Sequence, residues 1–184
     1  AQPPPPAPAV YLQVKRLTTA KETSVNWKTS YGSYDKEFSR ALAISIFLRN
    51  MQKEPAPVTL EWFFIAKELS TRQQYIFDKG AEDLVLDHAR PYQTNKISMP
   101  ITAQVQRYMS LGMSEKSGSQ ISGYLVRVRA ADKILAVDAS SKPLEKTGER
   151  HLDLREVLAE AIPAETVPFG PVDSPLTQPV PALD

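Results

Sequence analysis

The chain is 184 residues long and 42% hydrophobic, with a formal net charge of +1 from 22 basic and 21 acidic side chains. That length suits one ordinary domain, and near-neutrality argues against a dedicated nucleic-acid binder. With no cysteine and two histidines, Cys-rich and His-rich metal sites are excluded, and no stretch approaches the roughly 20 apolar residues that span a bilayer.

Prolines mark both ends. Five of the 16 lie in residues 1–8, and six lie between Pro163 and Pro181. Proline lacks the amide donor and fixes φ, so these ends read as extended and solvated. Residues 1–9 are expected to be a proline-rich spacer, 10–162 the folded unit, and 163–184 a proline-rich acidic tail carrying Glu165, Asp173 and Asp184. The opening Ala1-Gln2-Pro3 reads as a mature N-terminus left after signal-peptide removal, which would place the protein outside the cytoplasm.

Inside the unit the apolar period is two, the signature of strands. Val10, Leu12 and Val14 alternate with polar neighbours, as do Val25, Trp27, Thr29 and Tyr31. Leu42, Ile44, Ile46 and Leu48 share one face of the run 39–49. Val58, Leu60, Trp62, Phe64 and Ala66 share one face of the run 57–69. Shorter strands are predicted over 74–77, 83–87, 97–101 and 104–109, bounded by Gly, Pro, Asn or Asp. The clearest hairpin is 121–139: an Ala131-Asp132 loop pairs Ala130 with Lys133, Val128 with Leu135, Val126 with Val137 and Tyr124 with Ala139. That register sets Arg127 diagonal to Asp138. The spacing of Leu154, Val157, Leu158, Ala161 and Ile162 predicts a helix over 151–162, stopped by Pro163. About nine strands and one short C-terminal helix give a mainly β fold, an antiparallel immunoglobulin-like β-sandwich, with a small β-barrel as the alternative. Trp62 and Phe64 are expected in its core with Leu42, Ile44, Val126 and Val128.

The chemistry is sparse. Ser33-Tyr34-Asp35-Lys36 matches S-x-x-K and Lys146-Thr147-Gly148 matches K-T-G, two marks of a penicillin-binding site. Ser33, however, lies in a polar stretch, and the K-T-G lies in a charged run read as a loop. The acidic run Glu82–His88 reads as a solvated strand with charged ends, and neither histidine has a partner for a nucleophile triad. No phosphate-binding, zinc-protease or calcium motif is present. Catalytic residues, cofactors and metals are therefore not expected, and the chain is read as a non-enzyme.

The segments Tyr34–Lys36, Arg40–Asn50, Val58–Lys67 and Ser117–Val128, closed by Leu135–Ser141, resemble exported immunoglobulin-like proteins of Verrucomicrobia (Akkermansia) and Planctomycetes, encoded beside type IV pilus-like secretion components. The resemblance covers roughly residues 10–145 and consists of strand signatures. It implies a periplasmic or cell-surface protein that docks to other envelope or pilus-like proteins, or adheres.

Two sets of residues are candidates for binding. Phe47, Phe63 and Ile65 are apolar on faces that should point outward, so they would form a partner-binding patch. If the C-terminal helix lies over them, the favoured arrangement, they become a second small core instead. The alternative function, a carbohydrate-binding module or glycan-processing accessory, would use Trp27, Tyr31 and Tyr34 as a stacking platform. No nucleic-acid partner and no transmembrane segment is expected.

Overall fold

The structure, a computed structural model, describes residues 9–19, 21–28, 33–108 and 113–160. The expectations for the two proline-rich ends and for Tyr31 lie outside these residues. Eleven strands are present among them: β1 (Val10–Leu17), β2 (Lys21–Lys28), β3 (Ser33–Arg40), β4 (Ala43–Asn50), β5 (Ala56–Glu68), β6 (Gln74–Leu86), β7 (Tyr92–Ile97), β8 (Ile101–Tyr108), β9 (Met113–Ala130), β10 (Lys133–Ala139) and β11 (Ala159–Glu160). One helix, α1 (Lys142–Arg150), and a 3-10 turn, Leu154–Glu156, follow β10.

A small sheet of order β1-β4-β7 faces a larger one of order β11-β6-β5-β9-β8-β3-β2, in which β10 also pairs with β9. The mainly β, antiparallel sandwich is thus as predicted. β11, which runs parallel to β6, is the exception to antiparallel pairing. The core between the sheets takes Leu42, Ile44, Ile46 and Leu48 from one side and Leu60, Phe64, Val126 and Val128 from the other. These are the residues whose alternation marked them as inward-facing. Trp62 departs from expectation. It is half-buried at the rim of this core, its ring against Gly80, its cross-strand partner, and beneath Lys96 Nζ at 4.4 Å. A Cβ at Gly80 would meet Trp62 Cζ2 at 2.1 Å, so the absent side chain makes room for the indole.

Two strands are organised differently from their sequence pattern. The predicted strands at 74–77 and 83–87 are the ends of one strand, β6, and the run 39–49 breaks at Ala41-Leu42 between β3 and β4. The predicted strand 97–101 straddles the break between β7 and β8. In the 121–139 hairpin, Ala130 pairs with Lys133 as expected, and Ala131 takes the positive φ of 52° that the tight loop demands. Beyond Ile134 a bulge shifts the register, so that Ala136 opposes Val128 and Asp138 opposes Val126. One extra residue exchanges the faces of everything after it. Val137 and Ala139 therefore turn away from the main core, toward Leu125, and Asp138 takes the inner face. There Asp138 Oδ2 accepts the Val14 N–H at 2.8 Å, tying the small sheet to the large one.

The helix lies earlier than the apolar spacing predicted. Ser141 caps its start, accepting the Leu144 N–H, and Pro143 occupies the first turn. Both residues suit those positions. Residues 151–160, expected as helix, instead form a single 3-10 turn capped by Asp153 and then the short strand β11. The helical spacing misled because Leu154 and Leu158 are buried by a turn followed by extended chain, while Val157 is exposed.

β9, at 18 residues, is long enough to serve two neighbours. Its first part pairs with β8 as far as Gly118, and from Ser119 onward it pairs with β5. Gly118 sits at the switch with φ of 83°, a conformation that glycine alone adopts readily. Below that switch, β2, β3, β8 and the start of β9 form a four-stranded antiparallel arm.

Candidate functional site

The patch proposed from Phe47, Phe63 and Ile65 is not a free surface. Phe63 and Ile65 belong to a second core with Ile76, Leu125, Leu144, Leu154 and Leu158. The chain's own helix, 3-10 turn and the residue before β11 thus cover the outer face of β5, and the partner-binding role assigned to these two residues is corrected. The expectation of a helical cover holds in substance, though α1 and the following turn supply it rather than a helix over 151–162. Phe47 is half-buried and packs edge-on against Tyr11 of the neighbouring strand, ring centroids 6.3 Å apart. It is separated from the other two by the thickness of the sandwich, so the three residues do not form one patch.

Beside Phe63 lies a charged cluster that the sequence reading did not identify. Glu61 and Arg127 oppose each other across β5 and β9, and both are buried. Arg127 Nε donates to Glu61 Oε2 at 2.7 Å, and Arg129 Nε donates to the other carboxylate oxygen. The two terminal nitrogens of Arg127 donate to the carbonyls of Gly148, His151 and Leu152. Its guanidinium also stands 5.4 Å from the Phe63 ring centre. A guanidinium offers five N–H donors in a rigid fork, and here it fastens the last turn of α1 and the segment after it onto β9. The expected diagonal pairing of Arg127 with Asp138 does not form, since the bulge puts Asp138 on the opposite face. The signal available in the sequence was a glutamate on the alternating run of β5 and an arginine on the first strand of the 121–139 hairpin.

A depression of about 490 Å³ opens next to this cluster, lined by Glu61, Lys79, Arg127, Leu152 and Asp153 among others. Both of its carboxylates are engaged. Glu61 is held by two arginines, and Asp153 by Arg155, with two contacts of 3.0 Å. The Arg155 hydrogen bonds hold the Asp153 carboxyl below its ordinary range. The Arg127 contacts hold the C-terminal segment in place against β9.

The other sequence candidates separate in space. Ser33 and Lys36 lie on β3 in the arm, whereas Lys146-Thr147-Gly148 is part of α1, not of a loop as expected, and no S-x-x-K/K-T-G site is assembled. Glu82 accepts from Tyr92 Oη at 3.1 Å and pairs with Lys96 Nζ at 3.4 Å, bridging the two sheets at their rim. Burial, reinforced by that hydrogen bond, pushes the Tyr92 phenol above its ordinary pKa. Burial and then the nearby Asp138 carboxylate do the same to Tyr124. Asp83 accepts from the Thr59 hydroxyl at 2.8 Å, and His88 is exposed beyond the strand end. Among the described residues no three His, Asp or Glu side chains gather to hold a metal ion, and no helix is long and apolar enough to cross a membrane.

What remains is the arm. Trp27 on β2 directly opposes Tyr34 on β3, which opposes Arg107 on β8. The register thereby brings together two members of the proposed aromatic platform, and Tyr31 lies outside the described residues. β2 ends the sheet, and among the described residues no strand pairs with its outer edge. Eight residues of backbone, Lys21–Lys28, thus present alternate N–H and C=O groups to the surroundings.

No family model matches the chain, and no curated protein matches it. Solved structures share parts of its shape. A protein from Akkermansia muciniphila aligns over 84% of this chain and 81% of its own, at 14% identity and a TM-score of 0.38. A Bacteroides fragilis protein described as a candidate beta-galactosidase aligns over 72% of this chain, at 15% identity and a TM-score of 0.33, and the chain spans 16% of that enzyme. The Bacteroides uniformis beta-glucuronidase aligns over 72% of this chain and 15% of its own, at 9% identity and a TM-score of 0.24. At these TM-scores none of the likenesses bears on function.

Proposed function

We propose that this protein is a non-enzymatic docking or adhesion module of the bacterial cell envelope, exported to the periplasm or cell surface, and that a partner strand adds to the open edge of β2. The observation that carries this reading is the eight-residue edge at the end of a four-stranded arm. An unpaired edge offers a partner a row of main-chain hydrogen bonds, and flanking side chains supply selectivity. Lys21 and Lys28 at the two ends of the strand are the kind of charge that discourages indiscriminate pairing. The envelope setting and a pilus-like apparatus as the partner rest on the sequence resemblance.

Proline substitution tests it. Successive residues of an antiparallel edge strand direct their backbone groups alternately inward and outward. One of Val25→Pro and Asn26→Pro therefore removes an outward donor while sparing the ladder to β3. The expected result is that the variant retaining the parent's melting temperature no longer co-fractionates with its envelope partner. Retention of the partner by that variant, or capture of cytoplasmic metabolic enzymes alone, contradicts the reading.

A second reading, glycan binding, draws support from the Trp27–Tyr34 register, which sets two aromatic residues opposite each other on neighbouring strands. It uses the same arm but a face rather than the edge.

A further inference from the structure

The foot of the arm holds a hollow of about 400 Å³, a size usual for small-molecule sites. The register shows how it arises. Arg40 opposes Ile101, Phe38 opposes Ala103, and Lys36 opposes Val105, which in turn opposes Lys116. Opposed residues share a side of the sheet. Phe38, Ile101, Ala103 and Val105 therefore form one apolar floor, with Arg40 at one end and Lys36 and Lys116 at the other. Ile101 and Ile121 pack against the core between the sheets. Phe38, Ala103 and Val105 continue that apolar surface into the arm, where they are half-buried and belong to neither core. Leu69 and Ile121 complete the apolar lining.

The polar groups around this floor are donors. Arg40 and Lys116 line the hollow and are exposed, and neither has an ion-pair partner among the described residues. Lys36 Nζ stands 5.5 Å from the Phe38 ring centre. The Ser119 hydroxyl accepts from Tyr75 Oη at 2.6 Å, which leaves its own proton to donate. Among the described residues no aspartate or glutamate lines the hollow. Glu68, which opposes Ser119, directs its carboxylate to the Ser70 and Thr71 hydroxyls of the following turn.

We propose that this hollow binds a small organic anion, with an apolar body that lies on Phe38, Ala103 and Val105 and a carboxylate held at the rim. The floor supplies the hydrophobic gain, and a rim of donors with no competing carboxylate sets the sign of the ligand's charge. A cationic ligand would be repelled by Arg40 and Lys116, and an uncharged one would leave both unused. These two side chains stand at opposite ends of the floor, so one carboxylate pairs with one of them. The site uses a face of the arm and not the edge of β2, so its failure would leave the strand-addition reading standing.

Isothermal titration of the full chain tests it with octanoate, its uncharged analogue octan-1-ol and its cationic counterpart octyltrimethylammonium. Octanoate is expected to bind tightest of the three. Hexanoate should bind roughly 15-fold more weakly than octanoate, converting about 0.8 kcal/mol for each CH2 lost. Either Arg40→Gln or Lys116→Gln, whichever removes the carboxylate's partner, should weaken octanoate about fivefold and leave octan-1-ol unchanged. Ala103→Glu, which sets a carboxylate in the floor, should abolish octanoate binding. A melting temperature equal to the parent's shows that a variant keeps the fold, and the two exposed cations can be replaced without touching the core. No binding of octanoate, equal binding of octan-1-ol, or full octanoate affinity after Arg40→Gln with Lys116→Gln overturns the proposal. So does a dimer that Ala103→Glu dissociates, which would assign the hollow to a second copy of the chain.

Discussion

Replacing Arg127 by alanine is expected to destabilise the protein by about 3–5 kcal/mol, the usual cost of removing one partner from a buried ion pair. Glu61 would keep Arg129, so its charge is not wholly orphaned. The larger loss is on the other side, where the carbonyls of Gly148, His151 and Leu152 lose their shared donor. Those carbonyls belong to the segment that covers Phe63 and Ile65, so release of the segment should accompany the loss of stability. Urea denaturation measures the first, and limited proteolysis after α1 the second. A change below about 1 kcal/mol would show that packing of Leu144, Leu154 and Leu158 holds the cover without the arginine.

The second large effect is expected at Phe64, which is fully buried between the sheets and tilted against Phe77 at 6.2 Å. Phe64→Ala should cost about 3–5 kcal/mol, combining lost burial with the cavity left behind. Trp62→Ala should cost less, despite removing a larger side chain. The indole is half-exposed, and part of its contact is with Gly80 and Lys96 at the rim, where neighbours and water can fill the space. Chemical denaturation of the two variants side by side checks the order. Equal or greater loss from Trp62→Ala would mean that the indole is a core residue after all.

These effects mark where the sequence was legible. The inner faces of β4 and β5 could be read directly, because strict alternation leaves one assignment for Ile44, Ile46, Leu60 and Phe64. Alternation carries no information about a bulge, however, since an extra residue looks like any other. The bulge after Ile134 therefore reversed the expected faces of Val137 and Asp138 and hid the true partner of Arg127. The C-terminal cover misled in another way. A turn followed by extended chain buries Leu154 and Leu158 at the same spacing as a helix, while the start of the real helix was encoded in Ser141 and Pro143. Trp27 and Tyr34 share a rung of the arm, a neighbourhood that spacing along the chain could not show. What could not be read was which strands are neighbours, so the open edge of β2 could not be foreseen.

The central claim is that β2 is an open edge on a folded arm, and residue-by-residue amide exchange of the isolated protein tests it without requiring a partner. Amides of β2 that face β3 should be protected and those between them should exchange close to the rate of unstructured chain, giving protection at every second residue from Lys21 to Lys28. Amides of β5 from Thr59 to Lys67 and of β9 from Leu125 to Arg129 should all be slow, because those stretches have neighbours on both sides. Continuous protection along β2 would show that the edge is already covered, and uniform fast exchange would show that the arm is not formed. Either result would contradict the account.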